Sequence, residues 1–314
     1  MPRHLASAFA ATLLALTSAS ACAAPPATSP ASGAIQSPQT ADLLAYVRDH
    51  GGTGLIVIRD GETLIDAAWD PPTSDRMFAN FVYGRTNDGA LLEDVASQQK
   101  SFVALLVAIA VDKGLLDIES PVSRYLGDGW SKASAAQEAP IRVIDVLTMS
   151  SGLDENFRYT APAGTTFFYN TPVYAVTKRI VSAAAGQPLD VITRDWLTGP
   201  VGMVDTAWRR RPAALGSVGN DTGLVTTPHD VARFGLMVLH GGVAESGARV
   251  VSPAQLDALF NRSAANPAYG RLWWLNGGAY SVRAAGVRRD GPLIATAPAD
   301  LVGTVVPLFT PPAR

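Results

Sequence analysis

The sequence predicts an α+β fold: an antiparallel sheet drawn from both chain ends, flanked by helices and interrupted by a mainly helical insertion. Three observations predict it. Leu55–Arg59 and Glu62–Ile65 flank Asp60-Gly61, a hairpin signal, near the start. A long middle stretch carries helix patterns with caps and Pro or Gly stops. Strand-like runs, Leu272-Trp273-Trp274-Leu275 and Leu301–Val306, return near the end.

The first 23 residues read as a targeting segment. Arg3 supplies the positive end, Leu5 to Leu16 an apolar run too short to span a membrane, and Ala19-Ser20-Ala21 a small-residue cleavage site. The expected location is therefore outside the cytoplasm, periplasmic or secreted, with no transmembrane span. Cys22 is the only cysteine, which excludes an intrachain disulfide, and its place after the cleavage site offers a lipid anchor as a minor option. Residues 24–40 are rich in Ala, Pro, Ser and Thr and suit a disordered linker.

Residues 41–95 and 245–314 are expected to form the sheet region. Asp42 to His50 reads as a short helix stopped by Gly51-Gly52, and Phe78 to Glu93 as loop. Residues 96–244 are expected to be mainly helical. A helix starting near Ser97 runs to Lys113 and stops at Gly114. It is apolar on nearly every side, as a central helix must be. Ile141–Leu147 is a second helix. A third has Asn170 or Thr171 as cap, Pro172 at its first position and Val173 to Ala185 as its body. Pro228–His240 and Pro253–Phe260 complete the set.

Composition narrows the function. With 314 residues, 47% hydrophobic and 17% charged, the chain can bury a sizeable core. A net charge of -2 and the lack of a basic run give no footing for nucleic acid, and Arg209-Arg210-Arg211 reads as a solvated loop.

The chemistry-bearing stretch is Asp94-Val95-Ala96-Ser97-Gln98-Gln99-Lys100. Ser97 and Lys100 are three positions apart, hence on one helical face. A lysine in an apolar setting loses solvation of its charged form and becomes a base near neutral pH, which activates a neighbouring serine. The Ser97 amide at a helix N-terminus suits an oxyanion. The plainer reading is a surface lysine behind a helix cap, although few structural roles need a lysine there. A Ser-His-Asp hydrolase fits less well: Leu215-Gly216-Ser217-Val218-Gly219 carries half a nucleophile elbow, and His229 sits at a helix start. No His/Asp/Glu spacing resembles a metal site.

Across residues 50 to 275 the chain resembles the serine β-lactamase and penicillin-binding-protein-like hydrolases. The branch it looks most like holds class C β-lactamases, D-aminopeptidases, family VIII esterases and 6-aminohexanoate-dimer hydrolases. The matching pieces, in order, are the hairpin, Ser97-x-x-Lys100, Asp112–Leu116, Pro121-Val122, Ile144–Leu153, Pro162-x-Gly164-Thr165-x-Phe167-Phe168-Tyr169-Asn170, Gly202-Met203-x-Asp205-Thr206 and Gly223–Gly235. The resemblance implies a β-lactamase/transpeptidase-like fold and an acyl-enzyme on Ser97. Lys100 is its base, and Tyr169 a second acid or base. Substrate contacts are implied at Asn170 and Thr171, with no cofactor.

Two positions depart from the pattern. Thr171 stands where the Tyr-x-Asn motif has asparagine. The family's Lys-Thr-Gly or His-x-Gly strand has no match after Trp274, where Val302-Gly303-Thr304 lacks the basic residue, so the C-terminal strands are expected to be incomplete. The expected substrate is a small ester, amide or peptide, chosen by loops around Tyr83, Trp130 and Trp273. The competing expectation is a catalytically weak or inactive relative that binds cell-wall peptides or a protein partner.

Overall fold

The computed structural model describes residues 38–72, 76–283 and 286–294. The targeting segment with Cys22, most of the linker, and the Leu301–Val306 strand candidate lie outside the described residues.

The chain opens with helix α1 (Pro38–Asp49), so the expected linker gives way to helix at Pro38. It enters the antiparallel hairpin β1 (Gly54–Arg59) and β2 (Glu62–Ala68), turned by Asp60 and Gly61, both at positive φ. Residues 78–93, expected as loop, contain strands β3 (Val82–Arg85) and β4 (Leu91–Asp94). A short 3₁₀ turn (Ala96–Gln98) then leads into α2 (Gln99–Asp112). After it come α3 (Val143–Leu147), α4 (Thr171–Ala185), β5 (Ala207–Arg210), β6 (Thr222–Thr226), α5 (Pro228–Leu239), α6 (Pro253–Leu259), and the hairpin β7 (Tyr280–Val282) and β8 (Arg288–Asp290).

Among the described residues the sheets are separate: β1–β2, a four-stranded antiparallel sheet in the order β3-β4-β6-β5, and β7–β8. The central sheet therefore draws two strands from inside the stretch expected to be helical. Leu272-Trp273-Trp274-Leu275 does not form a strand among the described residues, where Trp274 makes an isolated bridge to Tyr269. Its side chains are all buried, because strand-like apolar runs and irregular core segments share one composition.

The core is built around α2. Every residue from Gln99 to Ala110 is buried, so the helix has no solvent face, and α4 and α6 pack against it. Phe102 stacks on Phe234 of α5 at 4.0 Å, and Phe234 stacks on Trp273. Because α2 is held on all sides, its first turn is a rigid platform.

The sheet delivers the chain to that platform. Asp94, the last residue of β4, pairs in register with Val225 of β6 and is buried against Arg211, just beyond β5. Arg211 Nε donates to Asp94 Oδ2 at 2.7 Å and Nη2 to Oδ1 at 2.9 Å. The carboxylate occupies the space above Gly223, where a Cβ would lie 1.9 Å from Oδ2. Glycine is needed here for room. Gly223→Ala is expected to displace Asp94 and cost about 1–3 kcal/mol, read as a lowered midpoint in urea unfolding; an unchanged midpoint would refute this packing account.

Candidate active site

Ser97 lies in the 3₁₀ turn between β4 and α2, directly after Ala96, a non-glycine residue at φ 47°. Such a conformation persists only where the surroundings hold it. Ala96 N–H donates to Asp94 Oδ1 at 2.8 Å, and Gln99 Nε2 donates to the Ala96 carbonyl at 2.8 Å. Both peptide groups of the strained residue are thus pinned. Ser97 is half-buried, and among the described residues its N–H has no main-chain acceptor.

Lys100 is one helical turn on. Its Nζ donates to Ser97 Oγ at 3.1 Å, and the residue is 3% exposed, which removes the reading of it as a surface lysine. Burial, reinforced by the positive charges of Arg211 and Lys178, pushes its pKa down to about 7. The amine is a usable base at neutral pH.

Tyr169 ends the segment before α4. Lys100 Nζ stands 4.8 Å from its ring centre, and the Ser97 side chain is near enough to its hydroxyl to lower its pKa. Burial raises the Tyr169 pKa, and the neighbouring Ser97 and Trp274 side chains partly offset this. Among the described residues the buried Trp274 N–H has no hydrogen-bond partner, and its ring stacks on Tyr169 at 5.7 Å. With its pKa raised, Tyr169 is a proton donor in the resting site. Ser97, Lys100 and Tyr169 therefore meet at one point.

The two expected substrate contacts part company. Asn170 is 2% exposed and both ends of its amide are used inside the protein: Oδ1 accepts from Val173 N as the cap of α4, and Nδ2 donates to the Leu153 carbonyl. The Asn170 amide is committed to capping α4 and to Leu153. Thr171 is half-buried on the first turn of α4, two residues after Tyr169. Of the residues expected to choose the substrate, Trp273 is core, 5% exposed under Phe234 and Phe260. Tyr83 donates to the Arg210 carbonyl, and Trp130 is half-buried against the core.

Several residues at the site were not singled out in the sequence. Arg211 is not part of a solvated loop: Arg209 and Arg210 are exposed, but Arg211 turns inward onto Asp94. Behind Lys100, the ring of fully buried Tyr174 lies 4.6 Å from Lys100 Nζ and 5.8 Å from Lys178 Nζ. Lys178 is itself pushed down to about 7, by burial and then by Arg211. Tyr174 and Lys178 stand four apart on α4, so a polar pair on its buried face was the available signal. Neither histidine of the described N-terminal and α5 regions meets a serine: His50 contacts the Tyr46 carbonyl and His229 pairs with Asp66. Among the described residues no His/Cys/Asp/Glu group could hold a metal ion, and no helix is long and apolar enough to cross a membrane.

Comparison with known proteins shows the family and the fold. Residues 40–293 match the family model Beta-lactamase. The chain belongs to the beta-lactamase family. It is 28% identical over 204 residues to penicillin-binding protein 4 of Amycolatopsis lactamdurans, half of this chain and 53% of that one, so the match spans about half the length of that relative. The fold is shared with the beta-lactamase/D-alanine carboxypeptidase of Yersinia pestis (TM-score 0.53, 20% identity, 71% of this chain and 73% of that one). It is shared too with a penicillin binding protein from Bacillus halodurans (TM-score 0.56, 14% identity, 74% and 83%). The β-lactamase/transpeptidase-like fold expected from the sequence is thus the fold observed.

The depressed pKa of Lys100 has a consequence for stability. Unfolded, the lysine keeps its proton to its ordinary value of 10.5; folded, it sheds it near 7. Between those values the unfolded chain binds more protons, so stability rises with pH. From about pH 7.5 to about pH 9, the wild type is expected to gain roughly 2 kcal/mol relative to Lys100→Met in urea unfolding. A pH-independent difference would contradict the buried, neutral amine.

Proposed function

We propose that this protein is an exported serine hydrolase that cleaves a small ester or amide through an acyl-enzyme on Ser97. The observation that carries the reading is the 3.1 Å contact between Ser97 Oγ and the buried amine of Lys100. Neutral Lys100 takes the hydroxyl proton as Oγ attacks the substrate carbonyl. The tetrahedral intermediate then expels its alcohol or amine, which receives a proton from Tyr169 or Lys100. Water attacks the resulting ester, passing its proton back through the same groups, and frees Ser97. The oxyanion formed in both steps faces the Ser97 N–H in the 3₁₀ turn that leads into α2. The family's hydrolases support the general class; the ester or amide preference follows from Thr171, whose single hydroxyl stands where a β-lactam-handling site has an amide. Export rests on the Arg3 to Ala21 targeting pattern, with Cys22 as a possible point of lipid attachment.

The deciding experiment is intact-mass spectrometry after exposure to a fluorophosphonate or a penicillin, with Ser97→Ala as control. One adduct is expected on the wild type, mapped to Ser97, and none on the variant. Chromogenic ester hydrolysis should fall at least about 1,000-fold in Ser97→Ala and about 100- to 10,000-fold in Tyr169→Phe. No adduct and no turnover above the Ser97→Ala control would leave the other reading, a relative that binds cell-wall peptides or a partner without cleaving them.

The acid limb of kcat/KM should fall near pH 7, because activity requires Lys100 unprotonated and its pKa is about 7. A limb below about pH 5 would point to a carboxylate base instead. For location, deleting residues 2–21 should keep the protein in the cytoplasmic fraction; unchanged export would remove the targeting assignment.

A further inference from the structure

We infer that Gln99 is a positioning residue for the Ser97 backbone N–H, and that Lys178 sets the direction of the hydrogen-bond chain that holds it. The inference rests on the acyl-enzyme reading of Ser97, because the group being positioned is the donor to the oxyanion.

The chain begins on α4. Lys178 Nζ donates to Asn220 Oδ1 at 2.7 Å, to the Thr222 carbonyl at 2.8 Å and to Thr222 Oγ1 at 2.9 Å. With three oxygen acceptors around it, Nζ spends three N–H bonds as a donor, and the Asn220 amide meets it with its oxygen. Asn220 Nδ2 is thereby turned towards Gln99, and donates to its Oε1 at 3.3 Å. Tyr174, buried beside it, donates its hydroxyl to the same oxygen at 3.4 Å. With Oε1 held from two directions, Gln99 has only Nε2 left for the Ala96 carbonyl, the 2.8 Å bond already described. Every amide orientation in this chain follows from the lysine at its far end.

The last link reaches the chemistry. The Ala96 carbonyl and the Ser97 N–H belong to one planar peptide group and point in opposite directions. Fixing the carbonyl therefore aims the N–H. Ala96 needs this hold, since its positive φ is unfavourable for an alanine and a relaxed backbone would rotate that peptide. Asp94, itself gripped by Arg211, secures the opposite peptide group of Ala96 and leaves the Ala96–Ser97 plane to Gln99. Gln99, Asn220 and Lys178 are all buried, at 1%, 2% and 6% exposure, so water does not compete for these bonds. A chain that served only to satisfy buried polar groups would have no need to end on this carbonyl.

The test uses Gln99→Met, which keeps the length of the side chain and removes the donor. Gln99→Glu is the second variant, placing a carboxylate oxygen against the carbonyl. Crystal structures of both should show the Ala96–Ser97 peptide rotated from its wild-type orientation. Phenylboronic acid, whose tetrahedral adduct on Ser97 uses the oxyanion donor, should bind on the order of 100-fold more weakly, and kcat for a chromogenic ester should fall by a similar factor. KM should stay within about threefold, because the ground-state ester does not need the N–H to the same degree. Lys178→Met should shift boronate affinity in the same direction, and Lys178→Arg should restore most of it. An unrotated peptide in the folded variants, or unchanged boronate affinity and kcat, overturns the inference. If the wild type neither turns over nor labels at Ser97, the hydrolase reading fails on its own, and the peptide orientation in the variants still decides whether Gln99 holds that plane.

Discussion

Taking a lysine amine out of water is unfavourable unless it sheds its proton or gains a counter-charge, and much of this structure follows from that constraint on Lys100. The amine lies at the mouth of α2, a helix without a solvent face, and among the described residues no carboxylate is its hydrogen-bond partner. It faces the Ser97 hydroxyl and the rings of Tyr169 and Tyr174. Two further positive groups, Arg211 and Lys178, stand behind it and favour the neutral form. A more exposed helix, or an acid in place of either ring, would let Lys100 hold its proton and end its use as a base.

Directly behind the serine the sheet and the helices meet in a polar layer. The Asp94–Arg211 pair is almost fully buried and bidentate. Buried ion pairs contribute little net stability against apolar replacements of the same shape, but losing one partner strands a charge and costs about 3–5 kcal/mol. The pair is better understood as a fixed anchor than as a source of stability. Asp94 holds the N–H of Ala96 and Gln99 its carbonyl, so a strained residue is clamped between a strand end and a helix start. Strain of this kind is a common feature of sites where a backbone N–H has to be aimed.

The helices were legible because their signals are local. Pro172 and Pro228 near helix starts, and the stop at Gly114, lie within a few residues of the ends they mark. The Asp60-Gly61 turn is local as well. Strands β3 to β6 carry weaker signals, because each is only four or five residues long and acquires its stability from neighbours distant in the chain. β4 pairs with β6 across more than a hundred intervening residues, a relation that no window of sequence contains. The same limit explains Trp273, whose aromatic character suits a substrate loop and a core equally well until Phe234 and Phe260 are placed against it.

By itself the sequence determined that Ser97 and Lys100 share a helical face, that this helix is too apolar to be exposed, and that Tyr169 precedes a capped helix. These follow from the 3.6-residue period and from side-chain chemistry, both properties of a short stretch. Only the tertiary structure decided which polar residues look inward. It turned Arg211 away from its two exposed neighbours and onto Asp94, and committed Asn170 to a helix cap. It also ran a chain of hydrogen bonds from Lys178 to the peptide that carries the Ser97 N–H. Each of these depends on a partner remote in sequence, and direction towards or away from water is set by what packs above a residue, not by its identity.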